Sequence, residues 1–213
     1  MWVSATKTYN AMVNDHLVDW LNLYGRNMLD RRDADNSKQF SDFLCKKGID
    51  FEASLVNYLQ KQFNSVSISQ YYSLEAVQTT IDHMNTGVPL IMSASLANKS
   101  TATYGIVDML IRSDYINRVF GTRDGHRVIS DADAHVKAPK LSGNYHYRVV
   151  EVKYCTIPLT SNGINVQNMP KFVAYKGQMC IYNEALGKMQ GYVPSTAYLV
   201  GRKTKYTSAN HPK

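Results

Sequence analysis

Cysteine is scarce in this chain, whose 213 residues include only Cys45, Cys155 and Cys180. Their odd number and wide spacing exclude a disulfide framework and are typical of a protein in a reducing compartment. Three cysteines also cannot form a zinc ribbon or an iron–sulfur cluster held by four thiolates of one chain.

Long apolar runs are also missing. No stretch approaches the about 18 consecutive apolar residues of a membrane-spanning helix, and residues 1–10 lack the charged and apolar segments of a signal peptide. We therefore expect an intracellular protein, cytoplasmic or nuclear, with no membrane partner. The basic and polar residues 201–205 are compatible with a domain taken from a longer protein.

Acidic residues are outnumbered by basic ones, 17 against 24, which gives a formal net charge of +7. A positive surplus suits a polyanionic partner such as nucleic acid, although many basic proteins bind none. The length suffices for one substantial hydrophobic core. We expect one domain over residues 1–213, with its core at about 48–201 and an N-terminal helical part at about 1–47.

The pattern of apolar residues predicts an α/β fold in which a central mixed sheet is flanked by helices. Helices are predicted at residues 9–28, 48–63, 73–84 and 171–186. Strands are predicted at residues 89–97, 104–111, 147–154 and 196–201. The polar segments 29–41 and 158–170 are predicted loops, and 112–144 is predicted to be a hairpin or a long loop with a turn at Asp124 and Gly125.

One acidic residue interrupts the strand predicted at 104–111. Asp108 stands in an otherwise apolar run, with Val107 before it and Met109 after it. Burying a carboxylate without a partner is strongly destabilising, so Asp108 needs a cation, a metal ion or a hydrogen-bond network beside it. A structural ion pair and a metal ligand both meet that need.

A second acid and a lysine stand two residues apart in the strand predicted at 147–154. Residues at this spacing share one face of a strand, so Glu151 and Lys153 point the same way among valines. Asp108 and Glu151 together suit Mg²⁺, while a lysine ammonium suits orienting a water molecule or neutralising charge on a phosphate. The alternative is a salt bridge on a half-exposed strand.

Helical spacing places three further polar side chains. Glu52 lies on the apolar stripe of the helix at 48–63, so it is predicted to point toward the body of the protein. Gln178 and Tyr182 share one face of the helix at 171–186, where an amide and a phenol suit hydrogen bonds to phosphate oxygens or a base. An isolated pair of this kind is more often found on an ordinary surface.

Taken in order, these residues resemble the PD-(D/E)XK nuclease superfamily, and more closely its RecB-like branch with a Q-x-x-x-Y helix. The family's motifs run helix, strand, strand, helix, and the matching residues here are Glu52, Asp108 after Gly-Ile-Val, Glu151-Val152-Lys153, and Gln178 with Tyr182. The resemblance covers about residues 48–186. The iron–sulfur cysteines of one subgroup of this branch are absent.

The resemblance implies a restriction-endonuclease-like core that holds Mg²⁺ or Mn²⁺. It implies metal ligation by Asp108, Glu151 and the backbone carbonyl of Val152. Lys153 would be the catalytic lysine, and Glu52 an auxiliary acid that is also a candidate metal ligand. By the same resemblance, Gln178 and Tyr182 would contact the substrate or position the site.

The resemblance further implies a nuclease that hydrolyses phosphodiester bonds. DNA is the preferred substrate, because the branch acts mainly on DNA in replication, recombination or repair, and a helicase or other replication or repair protein is an expected partner. Exonuclease and endonuclease activity both stay open. The alternative function is a non-catalytic nucleic-acid-binding or assembly module that keeps the fold and binds through its basic surface.

Overall fold

A six-stranded mixed sheet forms the centre of the protein. The computed structural model describes residues 2–25, 34–121 and 127–205. The strands run in the order β2-β3-β4-β5-β6, and β1 pairs with β4 outside this path. The strands are β1 (Val3–Ser4), β2 (Ser65–Ser67), β3 (Leu90–Asn98), β4 (Thr103–Arg112), β5 (Tyr147–Pro158) and β6 (Tyr198–Lys205).

Both strand orientations occur in this sheet. The β3–β4 and β4–β5 pairs are antiparallel, whereas β2–β3, β5–β6 and β1–β4 are parallel. The predicted mixed sheet is therefore confirmed. The four predicted strands are also confirmed within a few residues, while the short β1 and β2 had no detectable pattern.

Helices cover the two faces of the sheet. They are α1 (Tyr9–Met12), α2 (His16–Tyr24), α3 (Ala34–Gln62), α4 (Leu74–Asn85), α5 (Ile116–Phe120), α6 (Asp131–Ala134) and α7 (Pro170–Gln190). Local signals set several ends: the Ser73 side chain caps α4 by accepting from the Ala76 N–H, and α7 begins at a proline and is terminated by Gly191, the C-cap residue, whose φ is +76°.

Two hydrophobic clusters separate the layers. On one face, α3 residues such as Leu55 and Leu59 pack against Met109 and Val150. On the other face, Met84 of α4 and Leu186 of α7 belong to a second cluster, which also contains Val107, Leu110 and Val149 of the sheet. Alternation along β5 therefore directs Glu151 and Lys153, like Val149, toward α7.

The side chains of β3 and β4 change face at one level of the sheet. On β3, Met92 lies in the α3-side cluster, yet Ala94 lies in the α7-side cluster. On β4, Met109 and Val107 show the same switch. Strict alternation would keep each pair on one face, so the strands are irregular at Ser93 and Asp108, which stand opposite each other in the ladder.

Backbone strain accompanies this switch. Ser93 has a φ of +50° in the middle of a nine-residue strand. A non-glycine residue in this left-handed region costs about 1–3 kcal/mol, and surrounding contacts must hold it there. The strained residue lies directly across the ladder from Asp108, so the irregularity belongs to the region around that acid.

The predicted N-terminal elements need correction. Residues 9–28 do not form one helix: α1 and α2 are separated at Val13–Asp15, where Asn14 has a φ of +59°. Within the loop predicted at 29–41, residues 34–41 belong to α3, so that helix starts well before the predicted position 48. Residues 26–33 lie outside the described ranges.

The connection between β4 and β5 is a long loop with two short helices, α5 and α6, and within its described part there is no hairpin. The turn predicted at Asp124 and Gly125 falls outside the described residues. The other two predicted helices are confirmed as α4 and α7. None of the helices in the described ranges is long and apolar enough to cross a membrane.

Gly105 allows α7 to approach β4 closely. A Cβ built at this position would lie 2.4 Å from Cε1 of Tyr182, whose side chain is 1% exposed. Real Cβ atoms do not approach a ring this closely, so any larger residue would displace the ring or the helix.

Replacing Gly105 with alanine should lower the free energy of unfolding by roughly 1–3 kcal/mol, because the added methyl overpacks the contact with Tyr182. Gly48→Ala is the matched control, since Gly48 lies within α3 and a Cβ there meets nothing within 4 Å. The control should gain about 0.5–1 kcal/mol. Urea unfolding followed by circular dichroism measures both, and an unchanged midpoint for Gly105→Ala would contradict the packing argument.

Candidate active site

The site lies where β4 and β5 separate. Their antiparallel ladder extends from Arg112 paired with Tyr147 to Met109 paired with Val150. Asp108 and Glu151 are the next residues in register on the two strands, and they stand just beyond the last pair. The sequence therefore brings two acids to the inside of a fork, where the described β4–β5 ladder has no further pairs.

The side chain of Asp108 connects β4 to β5 at the open end of this fork. Its Oδ2 accepts a hydrogen bond of 2.6 Å from the backbone N–H of Val152 on β5. Beyond the last backbone pair, the two strands are thus joined by a hydrogen bond from a backbone N–H to a side-chain carboxylate. A charged acceptor strengthens such a bond, so the position of Asp108 against β5 is well defined.

Glu151 is almost completely buried, with 2% of its area exposed. Its Oε1 accepts from Nζ of Lys153 at 2.5 Å and from Nε2 of Gln178 at 3.2 Å. Its Oε2 is buried and has no hydrogen-bond partner within 3.5 Å in the described protein, although the Asp108 backbone N–H lies near enough to the carboxylate to lower its pKa slightly. Such an unsatisfied carboxylate oxygen is costly unless another group binds it.

Gln178 and Tyr182 support Glu151 from α7. Nε2 of Gln178 also donates to the Tyr182 hydroxyl at 2.9 Å, so the amide bridges the phenol and the acid. Both side chains are buried, at 8% and 1% exposure. Of the two roles expected for them, this burial favours positioning of the site over direct contact with a substrate.

Lys153 lies at the boundary between the buried acids and solvent. Its side chain is 24% exposed, and its ammonium lies 5.6 Å from the ring centroid of Tyr175. The ammonium of Lys171 lies 5.7 Å from the centroid of the same Tyr175 ring. Two cations therefore flank Tyr175 on the α7 side of the site.

Glu52 approaches from the opposite layer. It is half-buried on α3 and lines, together with Asp108, a groove of about 600 Å³ between α3 and the sheet. Burial raises the pKa of Glu52, the negative charge of Asp108 raises it further, and Lys153 opposes both. The predicted direction of Glu52 toward the body of the protein is confirmed.

The strand acids are also hard to ionise. Burial raises the pKa of Glu151 to about 7, with a further contribution from Asp108 and an opposing one from Lys153. Burial likewise raises the pKa of Asp108, against the effects of Lys153 and the Val152 N–H. Burial disfavours the Lys153 ammonium, but Glu151 and Asp108 outweigh it and raise its pKa.

This arrangement fits a bound divalent cation. One lysine faces three acids, and Glu151 carries an unsatisfied oxygen beside Asp108. Asp108, Glu151 and the Val152 carbonyl would hold the ion, with Glu52 nearby. Among the described residues no three His, Cys, Asp or Glu side chains form a ready-made metal cluster. Backbone carbonyl and water oxygens would therefore have to complete the oxygen ligands that Mg²⁺ and Mn²⁺ prefer.

Three contributors were missed from the sequence. Gly105 and Ser93 shape the backbone around Asp108, and Tyr175 contacts Lys153. A glycine inside a predicted strand signals a close approach, so Gly105 was detectable in principle. Nothing in the local sequence distinguishes Ser93 or Tyr175.

Comparison of this chain with protein-family models, with curated proteins and with solved structures found no match.

Addition of Mn²⁺ or Mg²⁺ should raise the melting temperature of the protein by several degrees. A ligand at 100 times its Kd contributes about 2.7 kcal/mol to the folded state. Asp108→Asn and Glu151→Gln should reduce the shift, because each removes an anionic oxygen ligand. Glu75→Gln, which changes an exposed acid on α4, is the control and should keep it. Thermal unfolding with metal or chelator measures this, and equal shifts in all four proteins would exclude the fork as the binding site.

The metal-free protein should depend on pH through Glu151. Because its folded pKa is raised from 4.5 to about 7, this group's stabilising contribution is present below pH 4.5 and is lost as the pH rises through 7. Relative to Glu151→Gln, the parent should therefore lose stability between these values. Urea unfolding of both proteins in chelator, at several pH values, gives the difference, in which titrating groups remote from the site cancel and the response of Asp108 and Lys153 to the loss of Glu151 is included. Parallel pH profiles would mean that Glu151 titrates normally.

Proposed function

We propose that this chain is a Mg²⁺- or Mn²⁺-dependent nuclease that hydrolyses DNA phosphodiester bonds in replication, recombination or repair. One observation carries the proposal: Asp108 and Glu151 follow the last β4–β5 pair and interact electrostatically, and Lys153 donates a hydrogen bond to Glu151. An acid pair with an adjacent lysine has a direct use in phosphodiester hydrolysis and is costly to keep buried otherwise.

The arrangement around the fork supports the resemblance to the RecB-like PD-(D/E)XK nucleases. Glu52 on a helix, Asp108 on one strand and Glu151 on the next interact electrostatically. Gln178 and Tyr182, on the following helix, reach Glu151 by hydrogen bonds. The proposal therefore includes a restriction-endonuclease-like core for this mixed sheet.

Each residue has a distinct task in this proposal. A bound Mg²⁺ or Mn²⁺ would supply Lewis acidity at the phosphate and lower the pKa of a coordinated water. Lys153 orients the attacking water or neutralises charge that develops on the phosphate oxygens. Gln178 and Lys153 occupy Oε1 of Glu151, which leaves Oε2 for the cation. Tyr182 accepts the Gln178 N–H and fixes the orientation of that amide.

Positive charge on one side of the site suits the DNA backbone. Lys171 is exposed and shares the Tyr175 ring with Lys153, so two ammonium groups lie on the side of α7. Both can contact successive phosphates, and the net charge of +7 adds a long-range attraction. The scissile phosphate would enter from this side.

Cleavage of end-labelled DNA tests the proposal. The parent should cut in Mg²⁺ or Mn²⁺ and not in chelator, whereas Asp108→Asn and Glu151→Gln should lose at least about 100-fold in rate, because the site loses an anionic ligand. Both variants should bind DNA in Ca²⁺ as well as the parent or better, since removing an acid reduces repulsion of the polyanion. Glu75→Gln should cut like the parent.

The substrates should include linear and circular, single- and double-stranded DNA, which separates exonuclease from endonuclease activity. A non-catalytic binding module would bind these DNAs without any metal-dependent cleavage, and that outcome would overturn the proposal. Retained cleavage in Asp108→Asn or Glu151→Gln would remove that acid from the mechanism.

A further inference from the structure

The groove that contains Glu52 and Asp108 extends well beyond the acids. Its volume is about 600 Å³, and its walls come from α3, from β2 with the segment after it, and from β3 and β4. Asn57, Gln70 and Ser93 line it together with apolar side chains such as Ile68 and Met92. The space is large enough for more than a metal ion and its water molecules.

The lining of this groove does not suit a phosphate. Among the described residues that line it there is no lysine or arginine, while Glu52 and Asp108 are acidic. A second phosphate would be repelled by these acids and would find no cation to bind it. A flat, uncharged ring with hydrogen-bonding edges fits better, because the walls combine apolar side chains with neutral amides and a hydroxyl.

Hydrogen-bonding capacity is left over in this groove. No side-chain hydrogen bond is found for Asn57, Gln70 or Ser93 in the described part of the protein. An amide carries both donors and an acceptor, and a hydroxyl carries a donor and two acceptor positions. These are the groups that read the edges of an unpaired base.

The strained backbone of Ser93 is an independent indication. Its φ of +50° coincides with the switch that moves Ala94 to the α7-side cluster, although Met92 stays in the α3-side cluster. Without the switch, alternation from Met92 would direct Ser93 toward α7. Strain of this kind persists at ligand-binding positions, and here it accompanies a hydroxyl in the groove.

We propose that this groove binds one unstacked nucleobase of the DNA strand whose phosphate lies at Asp108 and Glu151. The inference rests on the proposed function for the position of that phosphate. The phosphate backbone then follows the cationic side, along Lys153 and Lys171, and the uncharged base turns to the groove beneath α3.

This geometry selects single-stranded DNA or frayed ends. A base inside a duplex must be unpaired and unstacked before it enters such a groove, and the energy required is least where it is already single-stranded. All four bases should bind in this groove to some degree, because amide side chains can donate or accept hydrogen bonds and the apolar side chains contact any ring.

Equilibrium binding in Ca²⁺ tests the groove without requiring cleavage. The probes are a short labelled single strand of mixed sequence and a strand of equal length made of abasic tetrahydrofuran phosphates. The parent should bind the base-containing strand about tenfold more tightly. The double variant Asn57→Leu with Gln70→Leu should bind both strands with the lower affinity, because the hydrogen-bonding edges are gone.

Gln62→Leu is the matched control, since it makes the same kind of change on α3 outside the groove lining. It should keep the full preference for the base-containing strand. Asn57 and Gln70 are both exposed, so their replacement should leave folding intact, and thermal unfolding checks this. Should the double variant unfold, Asn57→Asp and Gln70→Glu test the same positions, and each should weaken the base-dependent preference.

Equal binding of the two strands by the parent, or no binding of either, would overturn the groove proposal. So would a folded double variant that keeps the preference. These results are separate from the cleavage assay: a base-dependent preference without metal-dependent cleavage contradicts the proposed nuclease alone, and cleavage without the preference contradicts the groove alone.

Discussion

The repulsion between two buried carboxylates is the constraint on which the site depends. Asp108 and Glu151 are brought together by strand register, at a point where burial and their mutual charge both oppose ionisation. Lys153 compensates for part of this charge, and Val152 donates its N–H to Asp108. The compensation is incomplete, since Oε2 of Glu151 stays unsatisfied. Binding of one more positive charge beside Glu151 would therefore stabilise the two carboxylates.

The packing around the two acids prevents them from moving apart to reduce their repulsion. Gly105 lets the Tyr182 ring press against β4, and Tyr182 in turn accepts from the amide that holds Glu151. The face switch at Ser93 and Asp108 opens the groove on the α3 side, while the α7 side stays packed. The acids are therefore fixed by the packing of α7.

The sequence predicts those features of the site that involve residues close together in the chain better than those that involve residues far apart. The common face of Glu151 and Lys153, and the Gln178–Tyr182 pair, follow from local periodicity and are confirmed by their hydrogen bonds. The proximity of Asp108 to Glu151 depends on the register between β4 and β5, which are far apart in the sequence. The order of the motifs along the chain suggests this proximity, but the number of residues between them cannot establish the register.

Features without a periodic signal escaped prediction. Residues 29–41 are mostly polar, which predicted a loop, yet residues 34–41 form the start of α3, where even the apolar Phe40 is exposed instead of lying on a buried stripe. The β1 and β2 strands contain two and three residues, too few for alternation to be recognised. The left-handed backbone of Ser93 depends on tertiary contacts, since serine has little intrinsic preference for it.

Charge is distributed unequally across the fork, and in the proposed nuclease this asymmetry would orient the DNA strand. Lys153 and Lys171 flank Tyr175 on the α7 side, whereas the groove that Glu52 lines lies on the α3 side. A nucleic-acid strand has a matching asymmetry, because its phosphates are anionic and its bases are uncharged. If the phosphate is drawn to the lysines, the base of the same nucleotide must turn away from them. In the proposed complex, the same two layers that bury the acids would therefore also separate the phosphate of a nucleotide from its base.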